Sequence, residues 1–256
     1  MPTPLRVFIT GASSGLGEAL AKHYAAQGAV LGLAARRIEK LVPLCAALPN
    51  ATAYPLDVCD SSAMQAAAAD FIARVGVPDI VIAAAGISVG TLTEYADDLS
   101  VFQAVMNTNV LGTVTTFHAF IQPMRAVQIG ALVGIASVAG IRGLPGGGAY
   151  SASKSALITY LESLRVELTG SGIQVTTISP GYIATPMTAV NPYSMPFILS
   201  ADLAAAKIAR IIKKRRAYVT IPWQMAIVSK LLHVLPRAIY DRLFVHAPHK
   251  PRKLPL

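Results

Sequence analysis

The sequence predicts an α/β fold: a doubly wound, mostly seven-stranded parallel sheet with helices on both faces, in a single domain. Three observations predict it. Short apolar runs alternate with segments of helical period along the chain. Several of these runs are apolar throughout, such as Ile80-Val81-Ile82-Ala83-Ala84, as expected of strands covered on both faces. A chain of 256 residues with 54% hydrophobic content also has enough apolar area for one large core.

The elements follow in order. Leu5-Arg6-Val7-Phe8-Ile9 opens a strand at 5–10, and a helix at 15–27 carries Leu20, Tyr24 and Ala25 before Gly28 stops it. Further strands are expected near 30–35, 52–56, 79–84, 130–136, 174–179 and 217–221. Helices are expected at 37–47, 61–75, 101–127, 150–169 and 201–215. No internal repeat or low-complexity linker divides the chain.

Between the first strand and the first helix lies Thr10-Gly11-Ala12-Ser13-Ser14-Gly15-Leu16-Gly17. Glycines let a backbone approach a pyrophosphate closely, and a helix N-terminus offers it free N–H groups and a positive dipole end. The strand and helix on either side favour a nucleotide over an ordinary loop. Further on, Tyr150 and Lys154 stand at i and i+4 and share a helix face. An ammonium there favours the tyrosinate, so the phenol would exchange protons nearer neutrality than its usual value of about 10. Ser137, ending the run 131–136, offers a hydroxyl to a substrate oxygen.

Together Gly11-x3-Gly15-x-Gly17, Ser137 and Tyr150-x3-Lys154 resemble the short-chain dehydrogenase/reductase family over roughly residues 5–221. The resemblance implies a Rossmann-fold dinucleotide-binding and catalytic domain at 1–222, with 223–256 as a basic amphipathic extension. It implies an NAD(P)-dependent oxidoreductase that reduces a ketone or aldehyde to an alcohol, or runs the reverse; the alternative is a non-catalytic protein that binds NADPH as a sensor or scaffold, which would have no use for Tyr150 and Lys154 together. It makes Asn109, Ser137, Tyr150 and Lys154 the catalytic set. Asn109, in Asn109-Val110-Leu111-Gly112, would bend a helix and hold a water that links Lys154 to solvent. An Asn is intrinsically unfavourable inside a helix, which supports that role independently.

The same resemblance lays the cofactor on Gly11, Ser13, Ser14, Gly15, Leu16 and Gly17, and puts Asp57 and Val58 beside the adenine. Ala84, Ala85 and Gly86 follow the fourth strand, where the family usually has an asparagine-containing turn. Ala83 at the first position removes an amide hydrogen bond and some rigidity. Tyr150 and Lys154 would face the nicotinamide ribose. Pro180, Gly181, Ile183 and Thr185 would cover the nicotinamide, with Thr185 on its carboxamide. The second strand ends Ala35-Arg36-Arg37, without the acid that would hold the ribose hydroxyls and repel a 2′-phosphate. Guanidinium groups suit phosphate, so NADPH is favoured over NADH. The plain alternative is that Arg36 and Arg37 cap helix 37–47 or face solvent.

The loops expected around the substrate are apolar, with Arg142 their one charge. Ser137, Ile141, Leu144, Tyr150 and Met187 are expected against it. A lipophilic carbonyl, such as an acyl chain or a sterol-like ring system, fits better than a sugar or an acid. No metal-ligand set is read. Cys45 and Cys59 read as buried, reduced thiols, and no secretory segment is read before the first strand, so a cytoplasmic setting is expected.

Residues 207–256 carry 12 Lys and Arg against one acid, Asp241, a net +11, while residues 1–206 are net −2 and the whole chain is +9. In this tail Lys230, His233, Arg237 and Asp241 share one helix face and Ile227, Leu231, Val234, Leu235, Ala238 and Ile239 fill much of the other, with Pro236 dividing the helix. Three uses stay open: contact with the anionic inner face of a membrane, packing on its own domain or on another subunit of a homo-oligomer (dimer or tetramer), and capture of an acidic acyl carrier. The tail is too charged and its apolar runs are too short to span a bilayer. Nucleic acid is not expected as a partner, because the basic residues are not interleaved with a recognisable nucleic-acid-binding fold.

Overall fold

The computed structural model describes residues 3–254. Its main sheet has seven parallel strands in the order β3-β2-β1-β4-β5-β6-β9. These are β1 (Arg6–Thr10), β2 (Val30–Ala35), β3 (Ala51–Pro55), β4 (Ile80–Ala83), β5 (Gly130–Ile135), β6 (Ile173–Pro180) and β9 (Tyr218–Ile221). Each lies within a residue or two of its expected place. Between them run α1 (Gly15–Ala25), α2 (Ile38–Ala47), α3 (Ser61–Val75), α4 (Asp97–Met106), α5 (Gly112–Val127), α6 (Gly148–Glu167) and α8 (Ala201–Lys213).

Strand residues alternate between two cores, because successive side chains point to opposite faces. Val7, Ile9, Leu31, Leu33, Ile82 and Val133 meet Leu20 of α1, Leu41 of α2 and Ile208 of α8 on one side. Phe8, Val81 and Leu132 meet Phe71 of α3, Phe117 and Phe120 of α5 and Leu161 of α6 on the other. The order reverses at β1, which pairs with β2 on one edge and β4 on the other. A crevice therefore opens beyond the carboxyl ends of β1 and β4, where sheets of this kind bind ligands.

Three features depart from the sequence reading. The expected helix at 101–127 is α4 and α5 joined by a π-helical turn at Asn107–Leu111. A small two-stranded sheet, β7 (Ile183–Ala184) with β8 (Leu199–Ser200), frames α7 (Pro186–Ala189) after β6. Cys45 is only half-buried and Cys59 is exposed, so the thiols are free but not both in the core.

The segment expected to be a C-terminal extension forms α9 (Trp223–Val234) and α10 (Arg237–Phe244), divided at Pro236 as expected. Its apolar face does not turn inward: Ile227, Leu231, Val234 and Ile239 are each half exposed or more. Met225, Ser229 and Tyr240 anchor it instead. The Tyr240 hydroxyl donates to the Gly143 carbonyl, and the Arg142 guanidinium lies 4.4 Å from the centre of its ring. The single charge of the apolar loops thus docks α10 rather than facing the cleft.

Beyond α10 the chain folds back. Gly90 N donates to the Pro251 carbonyl at 2.9 Å. Arg252 pairs with Asp98 at 2.7 Å and stacks 3.7 Å from the centre of the Tyr95 ring. Arg252, with the Leu92 amide, holds the Asp98 carboxyl below the usual carboxylate range. Packing on its own domain is therefore one use the extension serves. No helix among the described residues is long and apolar enough to cross a membrane.

Candidate active site

The glycine turn fits a dinucleotide. Ser14 is the extended N-cap of α1 but caps no amide with its side chain, so the first-turn N–H groups remain for a ligand. Gly11 has φ +70°, and a Cβ there would come within 2.6 Å of Ala85 N. Gly15, at φ +58°, lies under Thr185, whose Cγ2 would be 3.1 Å from an added Cβ. Gly17 backs onto the Gly11 carbonyl, with no room for a side chain, and Leu16 packs toward the core on the α1 face. Side chains at Gly11 and Gly17 would collide with neighbouring backbone, so the tight turn requires glycine there.

Thr185 is fixed over the turn by a capping box with Thr188, whose hydroxyl accepts from Thr185 N at 3.1 Å. Gly181 N is tied to the Ile221 carbonyl at 2.8 Å, and Ile183 is buried. At the end of β2, Arg37 donates to Ser13 Oγ at 3.1 Å and to Ser14 Oγ at 2.6 Å. Arg36 stands 3.7 Å from Asp57 Oδ2. Neither arginine is spent on capping α2. Val58 is buried against Gly112, so its side chain is packing beneath the loop rather than an open surface. Where the side-chain amide is missing, Ala85 N makes only a long 3.5 Å contact to Thr10 Oγ1. Ala84 packs on the core.

Tyr150 and Lys154 occupy successive turns at the start of α6. The Lys154 ammonium is buried, donates to the Ile135 carbonyl at 2.7 Å, and lies 5.6 Å from the centre of the Tyr150 ring. Burial lowers it from the ordinary lysine value to about 8. Burial also pushes the Tyr150 phenol up; the Ser137 hydroxyl pulls it back, and the Tyr193 phenol pushes it further up. The expected depression of Tyr150 by Lys154 is therefore not present. Loss of solvent dominates both groups, and it disfavours the charged form of each. Ser137 caps the 3-10 turn Val138–Gly140, accepting from Ala139 N at 3.1 Å, at the carboxyl end of β5.

Asn109 sits fully buried in the π-helical turn, a form that recurs where a helix serves a site. Its Nδ2 donates to the Ile87 carbonyl at 3.1 Å and to Ser153 Oγ at 2.9 Å, and its Oδ1 accepts from Ile87 N at 2.8 Å. Ser153 in turn donates to the Tyr150 carbonyl at 2.8 Å. One carboxamide therefore ties the loop after β4 to the helix that carries Tyr150 and Lys154. Gly86 makes this possible: an added Cβ would lie 3.2 Å from Asn109 Oδ1 and 3.6 Å from Lys154 Nζ. Sequence reading missed Ser153, although a hydroxyl inside Tyr150-x3-Lys154, one turn from the tyrosine carbonyl, was the available signal.

Of the residues expected against the substrate, Leu144 lies on the loop after β5 and Met187 on α7. Ile141 lines a groove of about 810 Å³ between α6, β9 and α9, whose lining includes none of the four residues expected to be catalytic. Among the described residues no His, Cys, Asp and Glu cluster suited to a metal occurs.

Comparison with known proteins bears directly on this geometry. The family model described as short chain dehydrogenase matches residues 6–193. An uncharacterized oxidoreductase of Myxococcus xanthus is 38% identical over 91% of this chain and 93% of its own. The 11-beta-hydroxysteroid dehydrogenase 1A of Arabidopsis thaliana is 32% identical over 84% of this chain and 68% of its own. A solved dehydrogenase/reductase from Burkholderia phymatum, in complex with NAD, superposes with a TM-score of 0.81 at 24% identity, covering 98% of each chain.

A cation buried at Lys154 costs stability. Lowering its value from 10.5 to about 8 corresponds to about 3 kcal/mol, offset by about 1 kcal/mol for its hydrogen bond to Ile135. Lys154→Met should therefore raise unfolding stability by about 2 kcal/mol at pH 7, read from thermal or urea unfolding. Between about 8 and 10.5 the unfolded chain holds a proton the folded wild type has lost, so wild-type stability rises with pH there and the gap should close.

Proposed function

Because the chain belongs to the short-chain dehydrogenase/reductase family of NAD(P)-dependent oxidoreductases, we propose that it uses NADPH to reduce the carbonyl of a lipophilic ketone or aldehyde. The reverse oxidation would use the same groups. The observation that carries the reading is the meeting of Tyr150, Ser137 and Lys154 at the carboxyl end of β5, beside a glycine cradle fit for a dinucleotide.

The bound cofactor supplies a hydride. Tyr150, kept protonated by burial, is the acid that gives its proton to the substrate oxygen. Ser137 donates a hydrogen bond to the same oxygen as negative charge develops on it. Lys154 holds the nicotinamide ribose and supports the return of a proton to Tyr150. Asn109 and Ser153 position the helix that bears both. Thr185, above Gly15, takes the carboxamide, while Gly11, Gly15 and the first turn of α1 take the pyrophosphate.

The choice of NADPH rests on the end of β2. Fold likeness leaves this choice open, since the Burkholderia relative holds NAD. Ala35 leaves the 2′ position without an acid, Arg37 brings its guanidinium beside the serines of the turn, and Arg36 stands next to it in the chain, against Asp57. A lipophilic substrate is supported by the apolar character of Leu144, Met187, Phe197 and Ile198, the last two half exposed. The name of the Arabidopsis relative agrees with such a substrate.

A panel of ketones and aldehydes of rising chain length should show NADPH consumption that increases with apolar length. Tyr150→Phe should cut kcat by about 100- to 10,000-fold while leaving NADPH binding nearly unchanged. Wild-type rates in that variant would sink the assignment. Replacing Arg36 and Arg37 together by alanine should raise the KM for NADPH by at least about tenfold and leave the KM for NADH little changed, as loss of charge-assisted hydrogen bonds requires. Equal changes for both cofactors would remove the phosphate role.

A further inference from the structure

The returning C-terminal segment touches three segments beyond the strands whose carboxyl ends surround Tyr150: the loops after β4 and β5, and α7 after β6. Pro251 accepts from Gly90 N in the first loop. The His249 ring lies over Gly146 in the second, four residues before Tyr150, so closely that a Cβ there would clash with it. On α7, the Lys250 ammonium donates to the Met187 carbonyl at 3.1 Å, two residues beyond Thr185. The Arg252–Asp98 pair and the Tyr95 ring hold the far end down.

This strap puts a cation at the rim of a cleft whose own loops are apolar. Lys250 is half-buried, and among the described residues no ion pair includes it. Asp98, a nearly buried acid of the same region, is already taken by Arg252. The Met187 carbonyl uses one ammonium hydrogen and leaves two. Burial without a countercharge lowers Lys250 to about 8, the mark of a desolvated cation that an incoming anion would stabilise. Arg142, the cation expected there from the sequence, is occupied with Tyr240.

We propose that Lys250 is a specificity-determining residue that binds a carboxylate at the outer end of the substrate, so that the preferred substrate is a lipophilic carbonyl compound bearing an acidic group. This rests on reading the cleft as the substrate site. It keeps the lipophilic carbonyl and reverses the sequence expectation that disfavoured an acid.

The test is equilibrium binding, by calorimetry in the presence of NADPH, of octanoate and of octanamide, which differ in charge and hardly in size. Wild type should bind octanoate at least about tenfold more tightly than octanamide. Lys250→Met should lose that preference with octanamide binding unchanged, and Lys250→Arg, which keeps the charge, should retain most of it. Melting temperature and NADPH affinity verify that each variant is folded. Equal affinities for the two ligands in wild type, no octanoate binding at all, or equal weakening of both in Lys250→Met would overturn the proposal. Because binding is read without turnover, absence of carbonyl reduction would count against the reductase reading alone.

Discussion

The side chain of Asn109 is the constraint on which the arrangement depends. A buried carboxamide has four hydrogen-bonding positions, and three are engaged: both polar groups of Ile87 and the Ser153 hydroxyl. These partners come from different parts of the chain, so their alignment fixes the loop after β4 against α6. The π-helical turn at Asn107–Leu111 aims that carboxamide. Without the extra residue in the turn, a straight helix would carry Asn109 round to another face. Gly86 completes the arrangement by keeping a side chain out of the space between Asn109 and Lys154.

Burial around this clamp sets the chemistry. It keeps Tyr150 a neutral acid and makes the Lys154 ammonium costly. The two helix-covered cores on opposite faces of the sheet can carry that cost, since each buries several large side chains completely. An electrostatically unfavourable lysine kept in a well-packed domain is the pattern expected where function and stability pull apart. The same tension reappears at the rim, where Lys250 is desolvated by the returning strap.

Local sequence carried the layers of the fold well. Apolar runs such as Ile80–Ala83 cannot be satisfied except between covered faces, and the turn at Gly11, Gly15 and Gly17 announces close backbone approach. Tyr150 and Lys154 were legible because both lie on one helix. What stayed hidden depends on residues distant in the chain. The pKa of Tyr150 follows from burial created by several loops, not from the lysine four residues on. Which face of the extension turns outward was also hidden, because it is Met225 and Ser229 of α9 and Tyr240 of α10 that meet the domain. The strap pairs Arg252 with Asp98, 154 positions away, and no spacing rule reports such a contact.

The clamp is tested most directly by Asn109→Leu, which keeps the side chain's size and removes its three hydrogen bonds, with kcat and NADPH affinity measured on the same folded sample. If Asn109 aligns the proton-handling helix, kcat should fall by about 100-fold, the cost of a small misplacement at a reacting centre. NADPH affinity should change by no more than a few fold, because the glycine cradle lies elsewhere. A variant with wild-type kcat would contradict the central role given to Asn109.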